Sequence, residues 1–365
     1  MTRLKVSIDA LVLGPQAAGI GQYIRSLVES YQTLFPEDDL AVWLRADVDL
    51  GCRQRVEVPA FKSSRDRLLF EQLVLPRRLA RGPYDVVHFP DYQVPILYPL
   101  PRLVMTVHDL AAFVLPGVFP RQGAAVKRFL MKRSVPRAAR IIVPSAAIRD
   151  DLVNVLNVPP AKVRVVPHGV KRRGTPKPGR AYDRPYFLAV GTVEPRKNFD
   201  GLIRAYHLLR ERWRDVPDLL IVGQFGWMYQ ETLALPEKLG VAEKVKFLQY
   251  VLEDSLATLY RDAVALVYPS FYEGFGLPVV EAMQAGIPVI TAGSGALGEL
   301  GGDFVWRVDP RDVASIADAM QAVLADDGEA KRRAQQARAL ARQYTWERAA
   351  AMTRQVYQEV AEEGG

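Results

Sequence analysis

A single cysteine, Cys52, in 365 residues excludes a disulfide framework and any thiolate metal site. That usage agrees with a reducing compartment, so a cytoplasmic location is expected. No uninterrupted apolar run reaches ~18 residues, and no membrane-spanning helix is predicted. The opening stretch MTRLKVSIDALVLG alternates like a strand and lacks the apolar core of a signal peptide. There is no internal repeat and no low-complexity tract. No nucleic-acid recognition motif accompanies the positive charge, so nucleic acid is not an expected partner.

What is present is ordinary for a water-soluble chain: 49% hydrophobic and 24% charged residues, long enough for two domains that each bury a core. The charge is uneven. Residues 1–170 hold 23 Lys+Arg against 15 Asp+Glu, whereas residues 171–365 hold 25 against 26. The excess includes Arg65, Arg67, Arg77, Arg78 and Arg81 in one helical-looking stretch. A second group is Arg121, Lys127, Arg128, Lys132, Arg133, Arg137 and Arg140, interleaved with Phe129, Leu130 and Met131. Such basic amphipathic stretches suit peripheral contact with an anionic membrane or a phosphorylated acceptor; solvated helix faces are the plain alternative.

Apolar runs alternate with helical periods throughout. Leu4, Val6 and Ile8 start the first half, and Ile24, Leu27, Val28 and Tyr31 follow at helix spacing. Further strands are predicted at 84–89, 102–107, 140–145 and 163–169. Residues 171–182, KRRGTPKPGRAY, lack an apolar period and read as a linker. Alternation restarts with strands at 186–191, 218–223, 244–249, 263–268 and 287–292. The pattern predicts two consecutive doubly wound α/β units, 1–170 and 183–345, with a last helix over 346–365.

The most informative segment is FYEGFGLPVVEAMQAG, bracketed by Glu273 and Glu281. It follows the apolar run Ala263 to Tyr268, and Pro278 suits the first position of the next helix. Gly274 and Gly276 let the backbone approach a ligand, with Phe275 and Leu277 beside them. A helix N-terminus offers unpaired N–H groups and a positive dipole end to an anion, while a carboxylate nearby accepts sugar hydroxyls. Those are the parts of a nucleotide-sugar site, although a glutamate in a first helical turn can equally be dipole compensation. In GTVEPRKNFDGL, Arg196 and Lys197 precede a second helix. Two cations there cost roughly 0.3–1 kcal/mol each unless something anionic binds. A pyrophosphate would reverse that sign; pairing with Glu194 is the alternative.

Gly14, Gly19 and Gly21 lie in GPQAAGIGQY, where Ile24 stands in place of the third glycine of a dinucleotide fingerprint. His108 and Asp109 end the strand LVMTV, and His88 and Asp91 end VVHF, at the edge where open α/β sheets bind ligands. Asp9, Pro90 and His168 read as structural.

PSFYEGFGLPVVEAMQAGIPVI closely resembles the donor-site signature of retaining glycosyltransferases of family four, a group with the GT-B fold of two Rossmann-like domains facing an interdomain cleft. Its Glu-x7-Glu pair is matched by Glu273 and Glu281. GTVEPRKN resembles the family loop whose Arg and Lys contact the donor diphosphate, TVHDL a motif whose histidine lines the transferred sugar, and the glycine loop one that approaches the donor. GIGQY, TVHDL and GTVEPRKN together resemble bacterial polysaccharide mannosyltransferases.

The resemblance implies a retaining, metal-independent transfer of a sugar, with mannose from GDP-mannose the first choice, to a glycan or lipid-linked acceptor. Gly19, Gly21, Arg196, Lys197, Glu273, Gly274, Phe275, Gly276, Leu277 and Glu281 would hold the donor. His108, Glu273, Arg196 and Lys197 would be catalytic, and His88, Asp91 and Asp109 would face the acceptor. By the same resemblance the last helix crosses back to the first domain. No cofactor is implied, since the nucleotide sugar is a substrate. The chain departs from the pattern at Gln22, where the family often has Arg, at Gln249, often Gly, and at Gly298, usually Pro. A nucleotide-sugar epimerase or hydrolase and a non-catalytic binding subunit remain alternatives.

Overall fold

In a computed structural model, residues 3–14, 19–96, 100, 102–171 and 176–363 are described. The linker residues 172–175 and the glycine-loop residues 15–18 lie outside them. Two units emerge. The first comprises Met1–Pro116, Arg121–Lys171 and Tyr344–Gly365; the second comprises Gly117–Pro120 and Arg172–Gln343.

In the first unit the strands are β1 (Lys5–Asp9), β2 (Asp39–Arg45), β3 (Gln54–Val58), β4 (Val86–Phe89), β5 (Leu103–Thr106), β6 (Arg140–Val143) and β7 (Val163–Val165). They form a parallel sheet in the order β3-β2-β1-β4-β5-β6-β7. In the second unit they are β8 (Tyr186–Val190), β9 (Asp218–Val222), β10 (Val245–Leu248), β11 (Ala265–Tyr268), β12 (Val289–Ala292) and β13 (Trp306–Val308). These are again parallel, in the order β10-β9-β8-β11-β12-β13. Both sheets therefore reverse their winding beside the first strand, between β1 and β4 and between β8 and β11. Loops leaving the carboxyl ends there diverge and open a crevice, the place where such sheets bind ligands.

β2, β3 and β13 are not among the strands named from the sequence. β3 and β13 are sheet edges with polar, exposed positions, so their patterns carry little apolar signal. β2 is interior, and its run Leu40–Leu44 is continuously apolar and buried.

The helix Trp346–Glu363 packs on the helix Ile20–Leu34 in the first unit, with Trp346, Ala350, Val356 and Tyr357 buried in the same core as Val6, Ile24 and Tyr31. A buried ion pair fixes it. Arg354 donates from Nε to Asp38 Oδ2 at 2.8 Å and from Nη2 to Oδ1 at 3.1 Å, and Asp38 also accepts from Tyr31 Oη (2.7 Å) and Leu4 N (2.9 Å).

Two of the basic side chains grouped in the sequence leave the helix surfaces. Arg140 lies on β6 and pairs with Glu359 and Glu363 of the last helix. Arg67 pairs with buried Glu71 at 3.4 Å. Around them, Arg65, Arg77, Arg78 and Arg81 are exposed beside exposed Leu69, Leu73 and Val74. On the helix Arg121–Ser134, Val126 (57%) and Phe129 (52%) are exposed beside Lys132 and Arg133.

Candidate active site

Two loops meet at the crevice of the second sheet, one after β8 and one after β11. A short 3-10 turn, Pro195–Lys197, ends at Asn198, whose backbone is left-handed (φ 56°) and whose side chain caps the helix Phe199–Arg212 by accepting from Gly201 N at 3.3 Å. The Asn198 amide also donates to the carbonyls of Pro269 (3.0 Å) and Pro310 (2.6 Å), tying this turn to the loops after β11 and β13. Phe271 N donates to Arg196 O at 3.0 Å, a second tie between the loops.

After β11 the chain turns through Gly276, at φ +112°, into the helix Leu277–Ala285. A Cβ there would sit 2.6 Å from Leu297, so the turn requires glycine on both counts. Pro278 occupies the first turn of this helix, where its missing N–H costs nothing. Phe275 is buried beside it, while Gly274 and Leu277 remain partly accessible.

The loops bring Arg196, Lys197 and Glu273 together. Lys197 Nζ lies 2.6 Å from Glu273 Oε1 and 2.6 Å from Tyr268 Oη, and Tyr268 Oη donates to the same carboxylate oxygen at 2.9 Å. Arg196 Nη1 donates to Glu273 Oε2 at 2.7 Å and to Tyr272 O at 3.0 Å. Arg196 also holds Glu194, from Nη2 at 2.7 Å and Nε at 2.9 Å, so the pairing with Glu194 does occur, for Arg196. Lys197 and Glu273 are each only 9% exposed.

Burial pushes the Glu273 carboxyl up, but the charges of Arg196 and Lys197 outweigh it and hold the group at about 2. Burial lowers Lys197, against the raising influence of Glu273. Burial likewise raises Glu194, against the two cations. The result is a desolvated, charge-balanced cluster whose cations are already oriented. An arriving diphosphate would find both cations already in place but would share them with Glu194 and Glu273.

Glu281 sits one turn into its helix, buried, with Oε2 accepting from Tyr260 Oη at 2.7 Å. Tyr260 belongs to the neighbouring helix Glu253–Asp262. Tyr268, Tyr260 and Asn198 are the members of the site to which the sequence pattern gives no role, and Glu194 is named there only as a pairing partner for the two cations. Tyr268 had a signal, as a polar-tipped residue closing an otherwise aliphatic buried strand; Tyr260 had none, since only tertiary packing brings it to Glu281.

In the first unit, Gly19 lies at φ +54° at the start of the helix Ile20–Leu34 and Gly21 is buried in its first turn. His108 follows β5 and is half-buried, with Nε2 2.9 Å from Pro90 O and Nδ1 3.3 Å from His168 Nε2. Asp109 accepts from Lys127 Nζ at 3.1 Å and Ala111 N at 3.0 Å, and Asp91 accepts from Tyr92 N at 2.7 Å. His88 departs from the expectation that it faces an acceptor. It is fully buried, with Nδ1 2.6 Å from Tyr357 Oη and Nε2 2.8 Å from Thr106 Oγ1, and burial pushes it down to about 3. On β4 its side chain falls on the face covered by the last helix, which makes it a core residue.

The sequence model described as Glycosyl transferases group 1 matches residues 171–340, and that of Glycosyltransferase Family 4 matches residues 19–173. The O-antigen chain mannosyltransferase B of Escherichia coli is 32% identical over 310 residues, 80% of this chain and 81% of that protein. The chain belongs to glycosyltransferase family 4. Its fold is that of GT-B glycosyltransferases. Sucrose-phosphate synthase from Thermosynechococcus elongatus superposes with a TM-score of 0.78 at 21% identity, over 99% of this chain and 100% of that one. HepE of Anabaena in complex with UDP-glucose superposes with a TM-score of 0.73 at 17% identity, over 99% and 100%. Within the family framework, the clustered loops of the second unit lie inside the segment matched by the group 1 model, and Gly19, Gly21 and His108 lie inside the family 4 segment.

Proposed function

We propose that this glycosyltransferase moves a hexose, mannose from GDP-mannose in the first instance, from a nucleoside diphosphate to an acceptor hydroxyl of a growing glycan or glycolipid, with retention at the anomeric carbon and without a metal ion. The convergence of Arg196, Lys197 and Glu273 at the crevice of the second sheet supports it most directly. In this reading Arg196 and Lys197 take the diphosphate, Glu273 turns a carboxylate oxygen to the sugar hydroxyls and Glu281 takes the ribose. Gly19, Gly21 and His108 contribute from the first unit, and Asp91 and Asp109 serve the acceptor. The bond from the anomeric carbon to the β-phosphate oxygen breaks, the acceptor oxygen bonds to that carbon on the same face, and its proton leaves on the departing phosphate. The two cations balance the charge that grows there. The mannose preference is supported by the O-antigen mannosyltransferase relative.

A uridine nucleotide is the second reading, favoured by the likeness to a chain solved with UDP-glucose. A panel of GDP- and UDP-sugars, read by nucleotide release with and without chelator, separates the two. Release from UDP-sugars alone removes mannose from GDP-mannose, and loss on chelation removes metal independence. Turnover without any acceptor favours a hydrolase or epimerase. The exposed apolar and basic residues of Ser64–Arg81 and Arg121–Ser134 support peripheral attachment to an anionic membrane, where a lipid-linked acceptor would be met.

A further inference from the structure

The hydrogen bonds around His108 assign its protons. Pro90 O can only accept, so the Nε2 that faces it at 2.9 Å carries the hydrogen. A neutral imidazole has one N–H; Nδ1 is then an acceptor, and His168 Nε2, 3.3 Å away, must be the donor. The rings are held by packing as well. Tyr23 meets His108 edge-on at 4.8 Å and His168 at 4.9 Å, and Trp346 stacks on His168 at 6.1 Å. Tyr23 is anchored in turn through Oη to Thr106 Oγ1 at 3.1 Å.

We propose that His168 is a positioning residue for the transfer reaction, its Nε2–H holding His108 in the neutral Nε2–H tautomer with its ring fixed against Pro90. The proposal rests on the reading that His108 lines the sugar site. It adds a residue that the motifs leave as scaffold and specifies the state in which His108 acts. One proton added at His168 Nδ1 leaves the bond between the rings as it is, and a second, at His108 Nδ1, breaks it, because both facing nitrogens are then donors.

The groups acting on His108 set where this happens. Burial favours the neutral ring and outweighs Asp91 and Asp109, which favour the cation; Lys127 opposes it. Burial also keeps His168 neutral, assisted by His108, and His88 is neutral beneath them. The neutral pair is therefore the state at pH 7.

The test uses the full chain with histidine labelled by 15N. Long-range 1H–15N correlation at pH 7 should show His108 with a protonated Nε2 and a bare Nδ1. In His168→Phe, which keeps the ring but removes the donor, the His108 ring should turn out of its register with Pro90 and populate both tautomers. In the same variant kcat should fall about tenfold, the worth of one hydrogen bond. Donor KM should stay unchanged, and the acid limb of kcat/KM should move to higher pH. His168→Gln, which restores an N–H, should recover most of kcat. A protonated Nδ1 on His108 in the unsubstituted protein overturns the proposal. So does a His168→Phe variant with the original tautomer and pH profile, or a His168→Gln variant as impaired as His168→Phe. Unchanged turnover in His108→Phe would overturn the placement of His108 in the reaction, while the tautomer assignment would still be read from the spectra.

Discussion

Lys197 and Glu273 are joined by a 2.6 Å charged hydrogen bond although they lie on loops from different strands. Both side chains are buried, and each supplies a counter-charge to the other. In the proposed reaction, Lys197→Ala would remove a cation from beside the departing phosphate. It should lower kcat about 10²–10³-fold, as for other such donors. Steady-state rates with saturating donor and acceptor check this, and an unchanged kcat would end the catalytic role.

The same pair makes stability depend on pH. Glu273 is held at about 2, below its usual value near 4.5. Its contribution is complete above that usual value and is lost as pH falls from there toward 2. The melting temperature of the unsubstituted protein should therefore drop more steeply below pH 4.5 than that of Glu273→Gln. Parallel acid melting curves would contradict the assignment.

Glu71 has the opposite sign. Burial, reinforced by the nearby charge of Asp9, outweighs the opposing charge of Arg67 and raises its carboxyl to about 9. Its protonated form is favoured by folding, so the contribution is present below the usual value near 4.5 and fades as pH climbs toward 9. Glu71→Gln should flatten the decline in melting temperature between pH 6 and 9. An equal decline in both proteins would show that Glu71 is ionised throughout.

Arg354→Ala should cost about 3–5 kcal/mol, because Asp38 would be left as a buried charge without its partner. Urea unfolding followed by a probe in the first unit measures it. A cost under 1 kcal/mol would show that water or Tyr31 compensates.

Membrane attachment has its own check. Replacing Val126 and Phe129 with Asp should abolish flotation with anionic vesicles at low salt, and 0.5 M salt should release the unsubstituted protein. Binding indifferent to salt and to anionic lipid would refute attachment through these helices.

Much of this architecture was legible because buried parallel strands are aliphatic almost without interruption. The runs at 186–190, 218–222 and 265–268 stand out for that reason, and the glycines that follow them mark the crevice loops. Edge strands such as Gln54–Val58 need no apolar face on both sides and gave no such signal. The cations Arg196 and Lys197 were conspicuous because two positive charges at the start of a helix are unfavourable unless something anionic meets them. Tyr260 and Asp38 were silent, since each acquires its meaning from a residue far along the chain. His88 misled for a related reason: a histidine at a strand end looks reactive until the helix that covers it is seen.

Tyr357 reaches from the last helix to His88 in the middle of the first sheet. The amino-terminal unit is thus completed by residues translated after the whole of its neighbour. A fragment stopping at residue 171 would present a bare apolar floor to solvent and should aggregate during synthesis. A split gene could yield two working halves only if the piece encoding 346–363 travelled with the first.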